Sequence, residues 1–180
     1  MLEVRWHGRG GQGAFTAARL LGHAVSIYED KYVQAFPSFG PERRGAPVLA
    51  FTRINEKKIT DRSEVESCDY VVVLDDTLYG PAVTAGLKPD GIMVINSTKA
   101  ADQFESSGFR VVTLDATALA LEVLKRPITN VPMLGALAAV SGVAGLESMI
   151  MAIDEQLPPK IREKNKQLLK RAFEHAKGGK

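Results

Sequence analysis

The chain has 180 residues, 45% hydrophobic and 24% charged, and a formal charge of +2 from 23 basic and 21 acidic side chains. That length suits one domain with a sizeable core, and the near balance of charge gives no electrostatic case for a nucleic-acid binder. A lone cysteine, Cys68, and three scattered histidines, His7, His23 and His175, exclude an internal disulfide and give no spacing for a zinc or iron–sulfur site held by this chain alone.

In chain order, Leu2–His7 alternates apolar and polar residues and predicts a short strand. Gly8–Gly13 spells a glycine turn, Gly-x-Gly-x-x-Gly. Ala14–Tyr28 follows with Phe15, Ala18, Leu21, Val25 and Tyr28 near helical spacing. Lys31–Gly45 carries two prolines, two glycines, three aromatic residues and adjacent arginines, and reads as a structured loop. Ala46–Ile54 predicts a strand, and Lys57–Thr60 could close a hairpin on it after a turn at Asn55-Glu56.

Asp69–Leu74 is a run of β-branched and apolar residues, the pattern of a buried strand. Thr77–Leu87 reads as a helix or turn, Gly91–Ser97 as a core strand, Ala100–Ser107 as a short helix, and Arg110–Leu114 as another strand. Ala116–Leu124 is a helix stopped before Pro127. Pro132–Ile153 predicts one long buried helix with Asn130 as its N-cap. It contains Glu147 and many small residues, which disfavours a membrane span. After Pro158-Pro159 comes an amphipathic helix with Ile161, Leu168, Leu169, Ala172, Phe173 and Ala176 on one face and basic residues on the other, a solvated face or a dock for an acidic partner. The last three residues form a loose tail.

Strands alternating with helices imply an α/β fold: three layers, α/β/α, around a mostly parallel or mixed sheet in a single domain spanning residues 1–180. No apolar leader follows the first residues, so the expected location is the cytoplasm, with no membrane association.

The glycine turn between a strand and a helix can cradle an anion, because the first backbone N–H groups of the helix are unpaired and glycines allow close approach. A dinucleotide site needs in addition a second apolar strand ending in an acid about 20 residues on. Glu29 and Asp30 stand near that distance, but no apolar strand leads into them. Arg9, inside the turn, can grip phosphate or carboxylate; it could equally be a surface charge. In Phe36–Val48, Glu42, Arg43 and Arg44 sit on a stretch stiffened by Pro37 and Pro41, suited to a phosphorylated ligand or a partner's carboxylate; a solvated turn is the alternative. Asp75-Asp76 ends a core strand and either caps the next element or belongs to a site. Cys68 reads as a small buried hydrophobe and Trp6 as core packing.

Together "GRGGQG", "FPSFGPERRGAPV", "DYVVVLDD" and "NVPMLGAL" resemble, in order and spacing, the gamma subunit of 2-oxoacid:ferredoxin oxidoreductases, in particular the pyruvate branch. The resemblance implies a complex that decarboxylates a 2-oxoacid on thiamine diphosphate, sends electrons through iron–sulfur clusters to ferredoxin and passes the acyl group to coenzyme A. Thiamine diphosphate, magnesium and the clusters would then lie on partner alpha, beta and delta subunits. This chain would contact coenzyme A through Gly8, Arg9, Gly10, Gly11, Gln12, Gly13, Arg43 and Arg44. It would have no catalytic residue of its own, and isolated it would be inactive. A stand-alone nucleotide-binding oxidoreductase and a purely structural assembly subunit are the alternatives.

Overall fold

The computed structural model describes residues 1–38, 44–104 and 108–178. Six strands form one mixed sheet in the order β2-β3-β1-β4-β5-β6. They are β1 (Leu2–Arg9), β2 (Tyr32–Pro37), β3 (Pro47–Asn55), β4 (Cys68–Val73), β5 (Leu87–Asn96) and β6 (Arg110–Leu114). β1, β4, β5 and β6 run parallel, while β3 lies antiparallel to both β1 and β2. The helices are α1 (Ala14–Tyr28), α2 (Pro81–Thr84), α3 (Ala116–Leu124), α4 (Asn130–Ser141), α5 (Leu146–Gln156) and α6 (Pro159–Gly178).

Strand alternation sends side chains into two cores. Val4, Trp6, Ala50, Val72 and Val94 pack under α1 and α4 on one face, where α3, α5 and α6 complete the layer. Phe51, Val71, Val73, Met93 and Ile95 face the other way, against Val83 of α2, Phe104 and the connecting segments, a thinner third layer. Trp6 is fully buried, and its indole N–H donates to the Thr52 hydroxyl at 3.1 Å. α4 is covered almost all round: every residue from Asn130 to Ala138 is buried. Gly135 permits this, because a Cβ there would stand 2.6 Å from the Leu169 carbonyl oxygen of α6.

Several local expectations change. Lys31–Gly45 is not all loop, since it contributes β2 at the sheet edge; there its residues stay half-exposed, so no inside–outside alternation marks them in sequence. No hairpin forms at Lys57–Thr60, because both edges of β3 are already paired, with β1 and β2. Thr77–Leu87 resolves into a 3-10 turn (Asp76–Leu78), the short α2 and the start of β5; of the helix expected at Ala100–Ser107, the described part holds a 3-10 turn at Ala101–Gln103, and residues 105–107 lie outside the described residues. The long helix Pro132–Ile153 is two helices, split where Gly142 ends α4 in the left-handed conformation (φ 63°). Asn130 is the first residue of α4 rather than its cap; Thr129 holds the cap position. On α6, Leu168, Leu169, Ala172 and Ala176 are buried, Phe173 is half-buried and Ile161 is exposed. Gly178 closes α6, and the two residues after it lie outside the described residues.

Candidate functional site

The chain leaves β1 through α1 toward β2 on one side, and leaves β4 through α2 toward β5 on the other. α1 and α2 cover opposite faces. In an open α/β sheet the crevice beyond the carboxyl ends of two such diverging parallel strands is where ligands bind. Here that crevice lies between the glycine turn after β1 and Leu74-Asp75-Asp76 after β4.

The glycine turn is held on both sides. Gly10 N–H donates to the Ala46 carbonyl at 2.8 Å, and Gly45 N–H donates to the Gly10 carbonyl at 3.1 Å, so the turn forms a short bridge with the residues leading into β3. Gly13 adopts φ 82°, and a Cβ there would lie 2.6 Å from the Asn130 Nδ2. Only glycine satisfies both the left-handed backbone and that approach. Gln12 folds back as a strut: its Oε1 accepts from the Arg9 N–H at 2.7 Å, and its Nε2 donates to Asp75 Oδ2 at 3.1 Å.

Arg9 is drawn inward. Its Nε donates to Asp75 Oδ2 at 3.0 Å, Nη2 to the Thr77 hydroxyl at 2.8 Å and Nη1 to the Gly45 carbonyl at 3.2 Å. Asp75 also receives the Thr77 N–H at 3.0 Å. Partial burial pushes the Asp75 carboxyl up, but the hydrogen bonds from Thr77, Gln12 and Arg9 outweigh it and hold the group below the usual carboxylate range. The sequence-level question about Asp75-Asp76 therefore has a double answer. Asp75 caps the 3-10 turn and also ties the glycine turn to β4.

Helix α1 begins with no side-chain cap, and Ala17 N–H is the donor that reaches the Gly13 carbonyl. The amides of Ala14, Phe15 and Thr16 thus lie ahead of the first α-helical bond of α1. The start of α4 sits beside them, with Asn130 Nδ2 3.5 Å from the Gly13 carbonyl. Two helix starts therefore converge on the glycine turn. Arg44 is exposed next to Gly10, while Arg43 and Glu42 lie outside the described residues.

A cleft of about 560 Å³ opens along the carboxyl ends of β4, β5 and β6, with Gln12, Asp76, Asn96, Ser97, Thr117 and Thr129 in its wall. Asp76 accepts from the Ser97 hydroxyl at 2.6 Å, and Asn96 Nδ2 donates to the Leu74 carbonyl at 2.9 Å. These contacts brace the strand ends that face the turn. Asn96, Ser97 and Thr129 were not singled out in sequence; the polar pair closing the apolar run of β5 was the available signal.

The dinucleotide alternative loses its second element. β2 is separated from β1 by the antiparallel β3, so no acid-tipped strand flanks the turn on that side. Glu29, at the expected distance, instead accepts from Gly145 N–H at 2.8 Å and the Ser148 hydroxyl at 2.6 Å at the start of α5. Beneath the site, on the thin-layer face, His7 is buried and its Nε2 accepts from Arg5 Nε at 3.0 Å. Burial, and then the Arg5 charge, push its pKa down to about 3. Cys68 is buried, and burial pushes its thiol up. Among the described residues, no group of three or more His, Cys, Asp or Glu side chains could hold a metal ion, and no helix is long and apolar enough to cross a membrane.

Residues 3–175 match the family model described as pyruvate ferredoxin/flavodoxin oxidoreductase. The chain is 51% identical over 98% of both lengths to the pyruvate synthase subunit PorC of Methanothermobacter marburgensis. It is 48% identical, over 97% of this chain and 96% of the relative, to the pyruvate/ketoisovalerate oxidoreductases common subunit gamma of Pyrococcus abyssi. Among solved structures, the pyruvate oxidoreductase subunit PORC of Thermotoga maritima aligns with TM-score 0.84 and 43% identity, over 96% of this chain and 95% of that one. The mixed α/β sheet described above is the architecture of that neighbour.

Proposed function

The chain belongs to the pyruvate ferredoxin/flavodoxin oxidoreductase family, as a gamma-type subunit, and on that premise we propose that its glycine turn contributes the coenzyme A contact of the assembled enzyme. The reaction of that enzyme is the oxidative decarboxylation of pyruvate or a related small or branched 2-oxoacid. Thiamine diphosphate, magnesium and iron–sulfur clusters belong to alpha, beta and delta partner subunits, and ferredoxin meets the complex rather than this chain. The chain alone turns over no substrate.

One observation carries the coenzyme A reading. The uncapped start of α1, with its open amides, lies in the crevice between β1 and β4, and the exposed Arg44 pairs with Gly10 of the turn that leads into it. Coenzyme A bears a diphosphate and a ribose phosphate, and both backbone amides at a helix start and an arginine fork suit such groups. Gly8, Gly10, Gly11 and Gly13 shape the backbone for that approach. Gln12 and Arg9 act differently from a direct grip. Their side chains are spent on Asp75, so they hold the cradle in shape while Arg44 and Arg43 supply the positive charge for the ligand.

The same inward ties of Arg9 favour a second reading, in which the turn serves assembly alone. Steady-state kinetics of the complete complex separates the two. Arg44→Ala is expected to raise the KM for coenzyme A about tenfold, as for one charge-assisted contact, with kcat and subunit composition unchanged. Unchanged coenzyme A dependence together with lost assembly would favour the structural reading. Tight binding of a nicotinamide dinucleotide to the isolated chain would favour the stand-alone enzyme.

A further inference from the structure

A second groove, of about 460 Å³, lies where the start of α6 meets the end of α3 and the first turns of α1 and α4. Its charged side chains are all basic: Arg126, Lys160 and Lys164. None of them makes an ion pair among the described residues, whereas their neighbours on α6 are engaged elsewhere. Lys166 binds Asp154 and Glu163, Arg171 binds Glu122, and Arg162 Nε donates to the Leu157 carbonyl at 2.7 Å. Lys160 and Lys164 stand one turn apart on the same face of α6.

Between these cations the rim is apolar. Ile128 is 42% and Ile161 43% exposed, above a floor that includes Leu124, Val131 and Leu157. On α6, Ile161 shares the spacing of the buried face yet lacks cover within the chain. An apolar patch ringed by like charges is the form of a protein interface. A free phosphate or other small anion has use for the lysines but none for two isoleucines.

We infer that this groove docks an acidic segment of a neighbouring subunit, whose aspartates or glutamates meet Arg126, Lys160 and Lys164 while one apolar side chain seats between Ile128 and Ile161. The inference rests on the reading of the chain as a subunit of a larger enzyme, but not on where coenzyme A binds.

The test uses the co-expressed complex and the affinity of this chain for the remaining subunits. Lys160→Glu with Lys164→Glu is expected to weaken that affinity at least about tenfold, and added NaCl is expected to weaken the native association in the same direction. Lys170→Glu with Lys177→Glu imposes the same charge change on exposed positions of α6 away from the groove and is expected to shift affinity by less than about twofold. Ile161→Ser should lower affinity while leaving the salt dependence intact. Circular dichroism of each variant chain separates lost docking from lost folding, since all these positions are exposed. Equal loss in the two charge variants overturns the proposal, as does full association of the groove variant. If that variant assembles fully but raises the KM for coenzyme A, the groove is a small-anion site and docking is refuted. Retained docking loss with no effect of Arg44→Ala on coenzyme A would sink only the coenzyme A reading.

Discussion

Gly13→Ala tests the construction of the cradle most directly. Two independent penalties meet at this position. The backbone sits at φ 82°, where an L side chain costs about 1–2 kcal/mol. The added Cβ would also stand 2.6 Å from Asn130 Nδ2, so the buried Asn130 must move and lose its contact with the Gly13 carbonyl. Displacing a packed buried amide adds about 1–3 kcal/mol, for a total of about 2–5 kcal/mol. Gly11 supplies the control, since its φ is 95° but a Cβ there meets nothing within 4 Å. Gly11→Ala should therefore cost only the backbone strain, about 1–2 kcal/mol. Urea unfolding followed by circular dichroism gives both values. A double-mutant cycle with Asn130→Ala then isolates the clash, because Gly13→Ala in that background should fall to the strain-only cost. If Gly13→Ala costs no more than Gly11→Ala, or if removing the Asn130 side chain brings no relief, the joint support of the turn by α1 and α4 is wrong.

Three further outcomes follow from the same structure. His7 stays neutral in the fold because its pKa lies at about 3, whereas the unfolded chain takes up a proton near the ordinary value of 6.5. Below that value the unfolded state binds more protons, so stability should fall as pH drops, by about 1.4 kcal/mol per pH unit between pH 6 and 4.5. Urea titrations of the native chain should therefore show a steeper loss over that window than His7→Gln does, and parallel curves would refute the burial of a neutral imidazole. Gly135→Ala places a methyl 2.6 Å from the Leu169 carbonyl and should destabilise by about 1–3 kcal/mol, read as a Tm drop of several degrees; an unchanged Tm would mean that α4 and α6 are not so closely packed. Asp75→Asn should free Arg9 and weaken the cap of the 3-10 turn, lowering stability by about 1–2 kcal/mol and, in the assembled enzyme, raising the KM for coenzyme A with kcat preserved.

What the sequence exposes most clearly is local order backed by burial. β4 and α3 emerge within a residue of expectation because an apolar run and an amphipathic stretch state their environments directly. β2 stays hidden for the converse reason: an edge strand takes its order from pairing with β3, and its half-exposed Tyr-Val-Gln-Ala-Phe-Pro carries no period of its own. The split between α4 and α5 is masked by a continuous run of small apolar residues, in which only the left-handed backbone of Gly142 marks the end. At the site, the glycine spacing announced a strand, a turn and a helix. The meaning of Arg9 did not follow, because its partner Asp75 lies 66 residues away and meets it through the pairing of β1 with β4.

That pairing also explains why the same six residues can look like a dinucleotide turn without completing a dinucleotide site. In a nucleotide fold, the strand beside the turn offers a free carboxylate to a ribose diol. Here the strand beside the turn is β4, and it does end in an acid, but Asp75 accepts hydrogen bonds from Arg9, Gln12 and Thr77. A carboxylate so occupied has little capacity left for a diol. It fixes the turn instead, and on the coenzyme A reading proposed above the guanidinium that binds it would shield its charge from the ligand's phosphates. Loss of either partner should then harm anion binding in different ways. Without Asp75 the arginine and the turn lose their anchor, whereas without Arg9 an uncompensated carboxylate faces the crevice and repels the ligand. Arg9→Ala should accordingly impair coenzyme A binding more than Asp75→Asn does, although Arg9 itself need never touch the ligand.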